Sequence, residues 1–136
     1  MSRIVLALSS DAPYAPHAAT MLLSALTNTP QARFVIYYLT DPDFPEETRV
    51  LLRQSLTHFG ERAVLHFHTV PDAWVQGLPL FKFMRPGEIR PVMWYRLFLP
   101  RLLLDEPKAL YLDCDTLVLR SLEPLWNLSL GKHAIA

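Results

Sequence analysis

The chain has 136 residues, of which 51% are hydrophobic, and this supplies enough apolar side chains for the core of one ordinary domain. Thirteen basic residues balance thirteen acidic ones, so no basic surplus points to nucleic acid as a partner, and the single cysteine, Cys114, excludes an internal disulfide. No apolar run approaches the ~20 residues of a transmembrane span, and we expect a cytoplasmic protein.

The first part of the chain alternates strand and helix patterns. Residues 3–9 form a short run of branched apolar residues, which predicts a buried parallel strand. Residues 14–27 carry apolar side chains at helical spacing, and Thr29-Pro30 is expected to end that helix. Residues 32–40 are dense in β-branched and aromatic side chains and predict a second strand, and a turn rich in Pro and Asp follows at 41–45.

A second amphipathic helix and a third strand follow. Residues 46–59 predict the helix, and Gly60 is expected to end it. We expect four apolar side chains of this helix to face inward: Val50, Leu51, Leu52 and Leu56. Residues 63–70 alternate in polarity, which indicates a strand.

The patterns become weaker in the second part of the chain. Residues 72–87 are irregular and are expected to run over the surface near a site. Residues 91–99 predict a helix entered through a proline, and residues 109–112 predict a fourth strand. An extended run is expected at 116–119 and one helical turn at 122–127.

This order of strands and helices predicts an α/β fold with a mostly parallel sheet flanked by helices. The last residues, 133–136, look like the beginning of a further strand that nothing completes. We therefore expect the chain to be an apparently truncated piece of a larger fold.

An acidic pair, Asp113 and Asp115, follows the fourth predicted strand. In extended backbone, residues two apart point to the same side, so both carboxylates could hold one hard divalent cation while Cys114 faces away. The alternative is two solvated acids that cap a turn. For Cys114, a buried thiol is favoured over a nucleophile, because no activating neighbour can be identified.

Two further polar positions admit two interpretations each. Asp11 could bond a nucleobase or ribose and Tyr14 could stack on a base, or Asp11 could cap the following helix while Tyr14 packs on the surface. Arg96 lies on an otherwise apolar helix and therefore needs a phosphate, a carboxylate such as Asp113, or a path to water.

Three segments together resemble glycosyltransferase family 8, which includes lipopolysaccharide galactosyl- and glucosyltransferases and glycogenin. The first runs from Ile4 to His17 and on to Leu26, and the second is Tyr95-Arg96-Leu97. The most specific is the run KALYLDCDTLV at 108–118, with LEPLW at 122–126. The resemblance covers the chain from residue 3 to its end.

The resemblance implies a GT-A fold, a Rossmann-like sheet that binds a nucleotide sugar. It implies that Asp113 and Asp115 bind Mn²⁺ or Mg²⁺, which holds the diphosphate of a UDP-sugar. Asp11 and Tyr14 fall where the family contacts uridine, Arg96 falls near the donor, and the backbone at Cys114 would lie by the ribose. The implied reaction transfers a hexose, with retention of configuration, to a saccharide acceptor of the lipopolysaccharide type.

The sequence also departs from the family. Ala12 and Pro13 replace a polar pair that often precedes the tyrosine, and the family's downstream histidine ligand has no match, since we do not assign His133 to that role. We assign no catalytic residue. We expect residues 1–136 to form the N-terminal, nucleotide-sugar-binding part of the domain, and we expect this chain alone to bind the donor weakly and to catalyse poorly.

The sequence leaves other interpretations open. A non-catalytic, truncated GT-A module could act in binding or in self-association as a homodimer. Peripheral membrane contact could be made through a missing C-terminal region. A nucleotidyl-transfer enzyme is disfavoured, because the four glycines are not clustered into a phosphate-binding loop.

Overall fold

A computed structural model of the chain describes residues 1–76, 78 and 90–135, and within them the chain forms one parallel sheet. Its strands are β1 (Ser2–Ser9), β2 (Ala32–Thr40), β3 (Ala63–Thr69) and β4 (Leu110–Tyr111). The spatial order is β3-β2-β1-β4, and every pair of neighbours is parallel. The predicted α/β class and mostly parallel sheet are therefore confirmed.

Helices cover both faces of this sheet. The helices α1 (Ala15–Asn28) and α2 (Glu46–Leu56) pack their apolar residues with Leu6, Phe34 and their neighbours into the larger core. The opposite face is covered by a smaller cluster around Leu39 and Tyr95. Three short elements contribute to this second cluster: α3 (Asp72–Val75), a 3-10 helix (Pro91–Phe98) and α4 (Leu99–Leu102).

The second helix buries a narrower face than its sequence suggested. Leu52 and Leu56 are buried as predicted, but Val50 is 42% and Leu51 63% exposed, so the inward orientation predicted for these two is wrong. Residues four apart share a helix face, and positions one and two residues before Leu52 are turned away from it. Helix α2 ends at Leu56, and a 3-10 turn (Thr57–Arg62) follows, in which Gly60 adopts φ +54°.

Several predictions for the second part of the chain need correction. The predicted helix at 91–99 is 3-10 up to Phe98 and then continues as α4. The extended run predicted at 116–119 forms no strand, and residues 133–135 form no strand either. Of the predicted irregular segment, residues 77 and 79–87 lie outside the described residues.

The predicted turn of helix at 122–127 is confirmed as α5 (Glu123–Trp126). No helix among the described residues is long and apolar enough to cross a membrane.

Candidate functional site

A cleft of about 380 Å³ opens at the carboxyl ends of β1 and β4. The chain proceeds from β1 outward to β2 and β3, and then returns to add β4 on the other side of β1. This position is a topological switch point, where open parallel α/β sheets bind their ligands. The residues that line the cleft are Ser9, Ser10, Asp11, Tyr14, Arg90, Val92, Met93, Arg96, Tyr111, Asp113, Cys114 and Asp115.

Two serines fix the backbone where β1 ends. The Ser9 hydroxyl donates to the carbonyl of Val92 at 3.1 Å and lies 2.8 Å from the Tyr111 hydroxyl, which can donate to it. The Ser10 hydroxyl donates to the carbonyl of Asp11 at 2.9 Å and is hydrogen-bonded to the Tyr38 hydroxyl. Tyr38 is fully buried, and this burial raises the pKa of its phenol, so Tyr38 is a neutral partner.

Asp11 caps the 3-10 helix (Ala12–Tyr14) that follows β1, which is one of the two interpretations left open by the sequence. Its Oδ1 accepts a hydrogen bond from the Tyr14 backbone N–H at 3.3 Å. Its Oδ2 forms an ion pair with Arg90. The Tyr14 ring is 44% exposed beside the cleft, with its centroid 5.3 Å from that of His17. Asp11 and Tyr14 both line the cleft, and their nucleotide-binding role stays a prediction.

The acidic triplet lies in a turn rather than in extended backbone. The Leu112 N–H still bonds the carbonyl of Ala7 at 3.1 Å, so sheet pairing continues one residue past β4. The carbonyl of Asp113 then accepts from both the backbone N–H and the hydroxyl of Thr116, at 3.2 and 2.8 Å. The predicted extended geometry is therefore wrong, and Cys114 lines the cleft together with both acids. Its proximity to the core makes its side chain half-buried.

Arg96 reaches the acidic end of the cleft from the 3-10 helix (Pro91–Phe98). Its Nη2 donates to Asp113 Oδ1 at 3.0 Å, and its Nε donates to the Met93 carbonyl at 3.3 Å. The guanidinium lies 4.8 Å from the centroid of the Tyr111 ring, within cation–π range. The carboxylate partner considered from the sequence is thus the one that the structure shows. Both side chains of the pair are about half exposed, so the remaining N–H groups can reach a ligand.

The environment of Cys114 disfavours a nucleophilic role. Burial raises the pKa of its thiol, and the neighbouring carboxylates of Asp115 and Asp113 raise it further. A thiol with a raised pKa carries little thiolate at neutral pH, and thiolate is the reactive form. The interpretation of Cys114 as a structural thiol is the one that these surroundings support.

The acidic end offers hard oxygen donors for a divalent cation. Asp113 and Asp115 are both exposed and both line the cleft, and Asp115 makes no ion pair or hydrogen bond with the described residues. No group of three or more His, Cys, Asp or Glu residues in the described part of the chain could hold a metal by itself. Two carboxylates fit a cation that completes its shell with phosphate oxygens and water, as Mn²⁺ and Mg²⁺ commonly do.

Six residues of the cleft were given no site role from the sequence: Ser9, Ser10, Arg90, Val92, Met93 and Tyr111. Arg90, Val92 and Met93 lie at the start of the 3-10 helix, directly after a stretch of sequence in which no periodicity guides an assignment. A weak signal was present, because Arg90 precedes Pro91 and therefore marks the entry to a helix.

The chain is similar to known proteins over nearly its whole length. The model of "Glycosyl transferase family 8" matches residues 5–136. General stress protein A of Bacillus subtilis is 29% identical over 129 residues, and the alignment covers 93% of this chain and 43% of that protein. Galactosyltransferase LgtC, solved in complex with donor and acceptor sugar analogues, has a TM-score of 0.79 at 26% identity over 94% of this chain and 44% of its own.

The bifunctional glycosyltransferase WbbM, solved in its apo form, shares the fold. Its TM-score is 0.76 at 20% identity, and the match covers 96% of this chain and 22% of WbbM. The chain therefore spans less than half the length of each of these relatives.

Proposed function

This chain belongs to glycosyltransferase family 8, and on that premise we propose that residues 1–136 are the donor-binding portion of a metal-dependent, retaining hexosyltransferase. The donor proposed is a UDP-sugar, and the acceptor is a saccharide of the lipopolysaccharide type. The observation that carries the proposal is the meeting of Asp11, Tyr14, Arg96 and the Asp113–Asp115 turn in one cleft at the switch point of the sheet. Galactosyltransferase LgtC, which was solved with donor and acceptor sugar analogues, supports sugar ligands for this fold.

The two ends of the cleft suit the two ends of a nucleoside diphosphate. At the β1 end, Tyr14 presents a half-exposed ring for base stacking, and Asp11 presents a carboxylate acceptor. At the β4 end, Arg96 presents N–H donors, and Asp113 and Asp115 present oxygens. The turn at Cys114 also lines the cleft, and its backbone is the proposed contact of the ribose.

Cleavage of the bond between sugar and phosphate leaves a diphosphate with growing negative charge. A divalent cation held by Asp113 and Asp115 would supply Lewis-acid stabilisation of that charge. Arg96 acts on the same group, because its guanidinium is already held over the cleft by Met93, Asp113 and the Tyr111 ring. A donor that is held in place before the reaction stabilises developing charge without a reorganisation cost.

A second candidate function is a non-catalytic module that binds a partner or a second copy of the chain. The observation that favours it is a set of exposed leucines in the second part of the chain, because burying apolar surface against a partner is favourable. They are Leu97, Leu104, Leu117, Leu119, Leu125 and Leu128. Metal-dependent binding of UDP separates the two functions, because the module does not require it.

Thermal unfolding with and without UDP and Mn²⁺ tests the proposal. At about 100 times its dissociation constant, a ligand stabilises the native state by about 2.7 kcal/mol, and this shifts the melting temperature clearly. We expect a shift that requires both UDP and Mn²⁺ and that is lost in the Asp113→Ala/Asp115→Ala variant.

A matched control removes two exposed acids outside the cleft, Asp43→Ala/Asp105→Ala, and should keep the shift. A shift of the same size in the Asp113→Ala/Asp115→Ala variant would remove the acidic pair from the donor site.

A further inference from the structure

Arg90 and Asp11 form an ion pair at the β1 end of the cleft, and nothing in the family resemblance assigns a role to Arg90. Asp11 Oδ2 is bonded to Nη1 of Arg90, while Oδ1 accepts the N–H of Tyr14. The Asp11 side chain is only 14% exposed, whereas that of Arg90 is 56% exposed. Each carboxylate oxygen accepts two hydrogen bonds and a guanidinium donates five. The pair therefore keeps both acceptor and donor capacity for a ligand.

The loop between β1 and α1 offers few other polar groups to a base. Ala12 and Pro13 have no hydrogen-bonding side chain, and Pro13 also lacks a backbone N–H. The Ser10 hydroxyl is buried and bonded to the Tyr38 hydroxyl and to the carbonyl of Asp11. The charged donor in contact with Asp11 is Arg90, so a base beside Asp11 also meets the guanidinium.

We propose that Arg90 is a further, specificity-determining residue of the base subsite, where it donates to a uracil base bound by Asp11, an inference that rests on the proposed function. Asp11 accepts the N3–H of the base, and Arg90 donates to one of the two carbonyls that flank N3. Uracil carries a carbonyl on each side of N3–H. The Asp11 carboxylate and the adjacent Arg90 guanidinium therefore match this edge in either orientation of the base. Tyr14 lies next to the pair, with its ring available to the face of the base.

The position of Arg90 favours the base over the diphosphate as its ligand. Arg90 is paired with the acid that follows β1, whereas Arg96 is paired with Asp113, which follows β4. The acids suited to a cation, Asp113 and Asp115, lie at the β4 end, and the diphosphate must lie beside that cation. A contact between Arg90 and phosphate is therefore the competing outcome of the test.

The test compares the affinities of two ligands, UDP and inorganic pyrophosphate, each with Mn²⁺, for the unaltered chain and for Arg90→Met. Methionine keeps much of the length of the side chain and removes every N–H donor. We expect UDP to bind about tenfold more weakly to the variant, in line with the discrimination of a good contact to a base edge. Pyrophosphate, which has no base, should bind equally to both. The control is Arg33→Met, which removes an exposed arginine at the amino end of β2, the end away from the cleft.

A second measurement changes the ligand and leaves the protein intact, so it does not depend on the folding of a variant. UDP methylated at N3 has no N3–H to donate, and the methyl group also meets Asp11. We expect the unaltered chain to bind this compound at least about tenfold more weakly than UDP. Binding as tight as that of UDP would overturn the assignment of the base edge to Asp11 and Arg90.

Three results with Arg90→Met would overturn the proposal. Unchanged UDP affinity would show that the guanidinium makes no useful contact, and tighter UDP binding would show that it competes with the base for Asp11. An equal loss for UDP and pyrophosphate would assign Arg90 to the diphosphate, with the proposed function left standing. Failure of the unaltered chain to bind either ligand would contradict the proposed function itself, and with it the role of Arg90.

Discussion

Residues 2–69 and residues 90–135 are built in different ways, and the candidate site lies where they meet. The first region contains three strands of seven to nine residues, and its core side chains are almost completely buried. The second contains a strand of two residues, a 3-10 helix of eight residues, α-helices of four residues and several exposed leucines. A complete core therefore fixes the β1 side of the cleft, while polar contacts to the first region position the β4 side.

Helix α1 and its C-cap residue, Thr29, provide three of these polar contacts. Ser24 Oγ and Thr29 Oγ1 accept the backbone N–H groups of Val118 and Leu122, each at 3.0 Å, and Asn28 Nδ2 donates to the carbonyl of Val118 at 2.9 Å. Val118 and Leu122 are also buried in the larger core. The segment after the acidic turn is thus attached to α1 by side chains, with no strand of its own.

The largest expected effect compares a leucine from each region. Leu6 is fully buried in the centre of β1, so Leu6→Ala should reduce the free energy of unfolding by about 3 kcal/mol through lost burial and a cavity. Leu119 is 74% exposed, so Leu119→Ala should change it by less than about 0.5 kcal/mol. Urea unfolding of both variants measures the difference, and equal losses would show that the second region is packed as tightly as the first.

A second, smaller effect tests the attachment of the two regions. Thr29 is fully buried and accepts the N–H of Leu122, so Thr29→Val keeps the shape of the side chain but leaves that N–H without its partner. We expect a loss of about 2 kcal/mol in the free energy of unfolding, the cost of a buried unsatisfied donor.

The control for this effect is Thr27→Val, at an exposed position near the end of α1 and two residues before Thr29, which should cost little. Equal effects of the two substitutions in urea unfolding would show that the contact between Thr29 and Leu122 contributes nothing to stability.

The difference between the regions also explains how far the sequence predicted the fold. The bounds predicted for the strand at 32–40 match β2, because a long run of β-branched and aromatic residues has one consistent solution. The helix predicted at 91–99 is in the right place but is mostly 3-10. It is short and has prolines at 91 and 100, and short helical segments often adopt the 3-10 form. Pattern arguments succeed where a core imposes periodicity and weaken where it does not.

The candidate site follows the same rule. Asp11, Tyr14, Arg96 and the acidic pair were named from the sequence, and the structure brings them into one cleft. The turn at Asp113 could not be predicted, because it depends on the side chain of Thr116 bonding the Asp113 carbonyl. The pairing of Arg90 with Asp11 could not be predicted either, because it joins residues that are distant in sequence. The position of Arg90 in the cleft follows from the three-dimensional arrangement of the end of β1 and the start of the 3-10 helix.

The smallest expected effect is a pH-dependent contact between the regions. Glu106 accepts hydrogen bonds from Arg3 on β1 and Tyr37 on β2, and the bond from Arg3 is the main cause that lowers the pKa of this carboxyl. A lowered pKa in the folded state stabilises the protein above the unfolded pKa, and the gain is lost as the pH falls through the folded pKa.

Glu106→Gln should therefore lower the melting temperature at neutral pH. The loss in the free energy of unfolding should be less than about 1 kcal/mol, because Arg3 is half exposed. The difference should shrink as the pH falls below the usual pKa of a glutamate and through the lowered pKa of Glu106, because the carboxyl then becomes protonated. A difference that is independent of pH would show that the charge of Glu106 is not what stabilises this contact.

The central claim is that the two regions form one site for a nucleoside diphosphate at the switch point of the sheet. Amide chemical-shift changes in two-dimensional NMR, on titration with UDP in the presence of Mg²⁺, test it most directly. The account predicts that the amides of Ser10, Asp11 and Tyr14 and those of Cys114 and Asp115 shift together, with one dissociation constant. Changes confined to one of these two groups, or changes at residues far from the cleft, would contradict it.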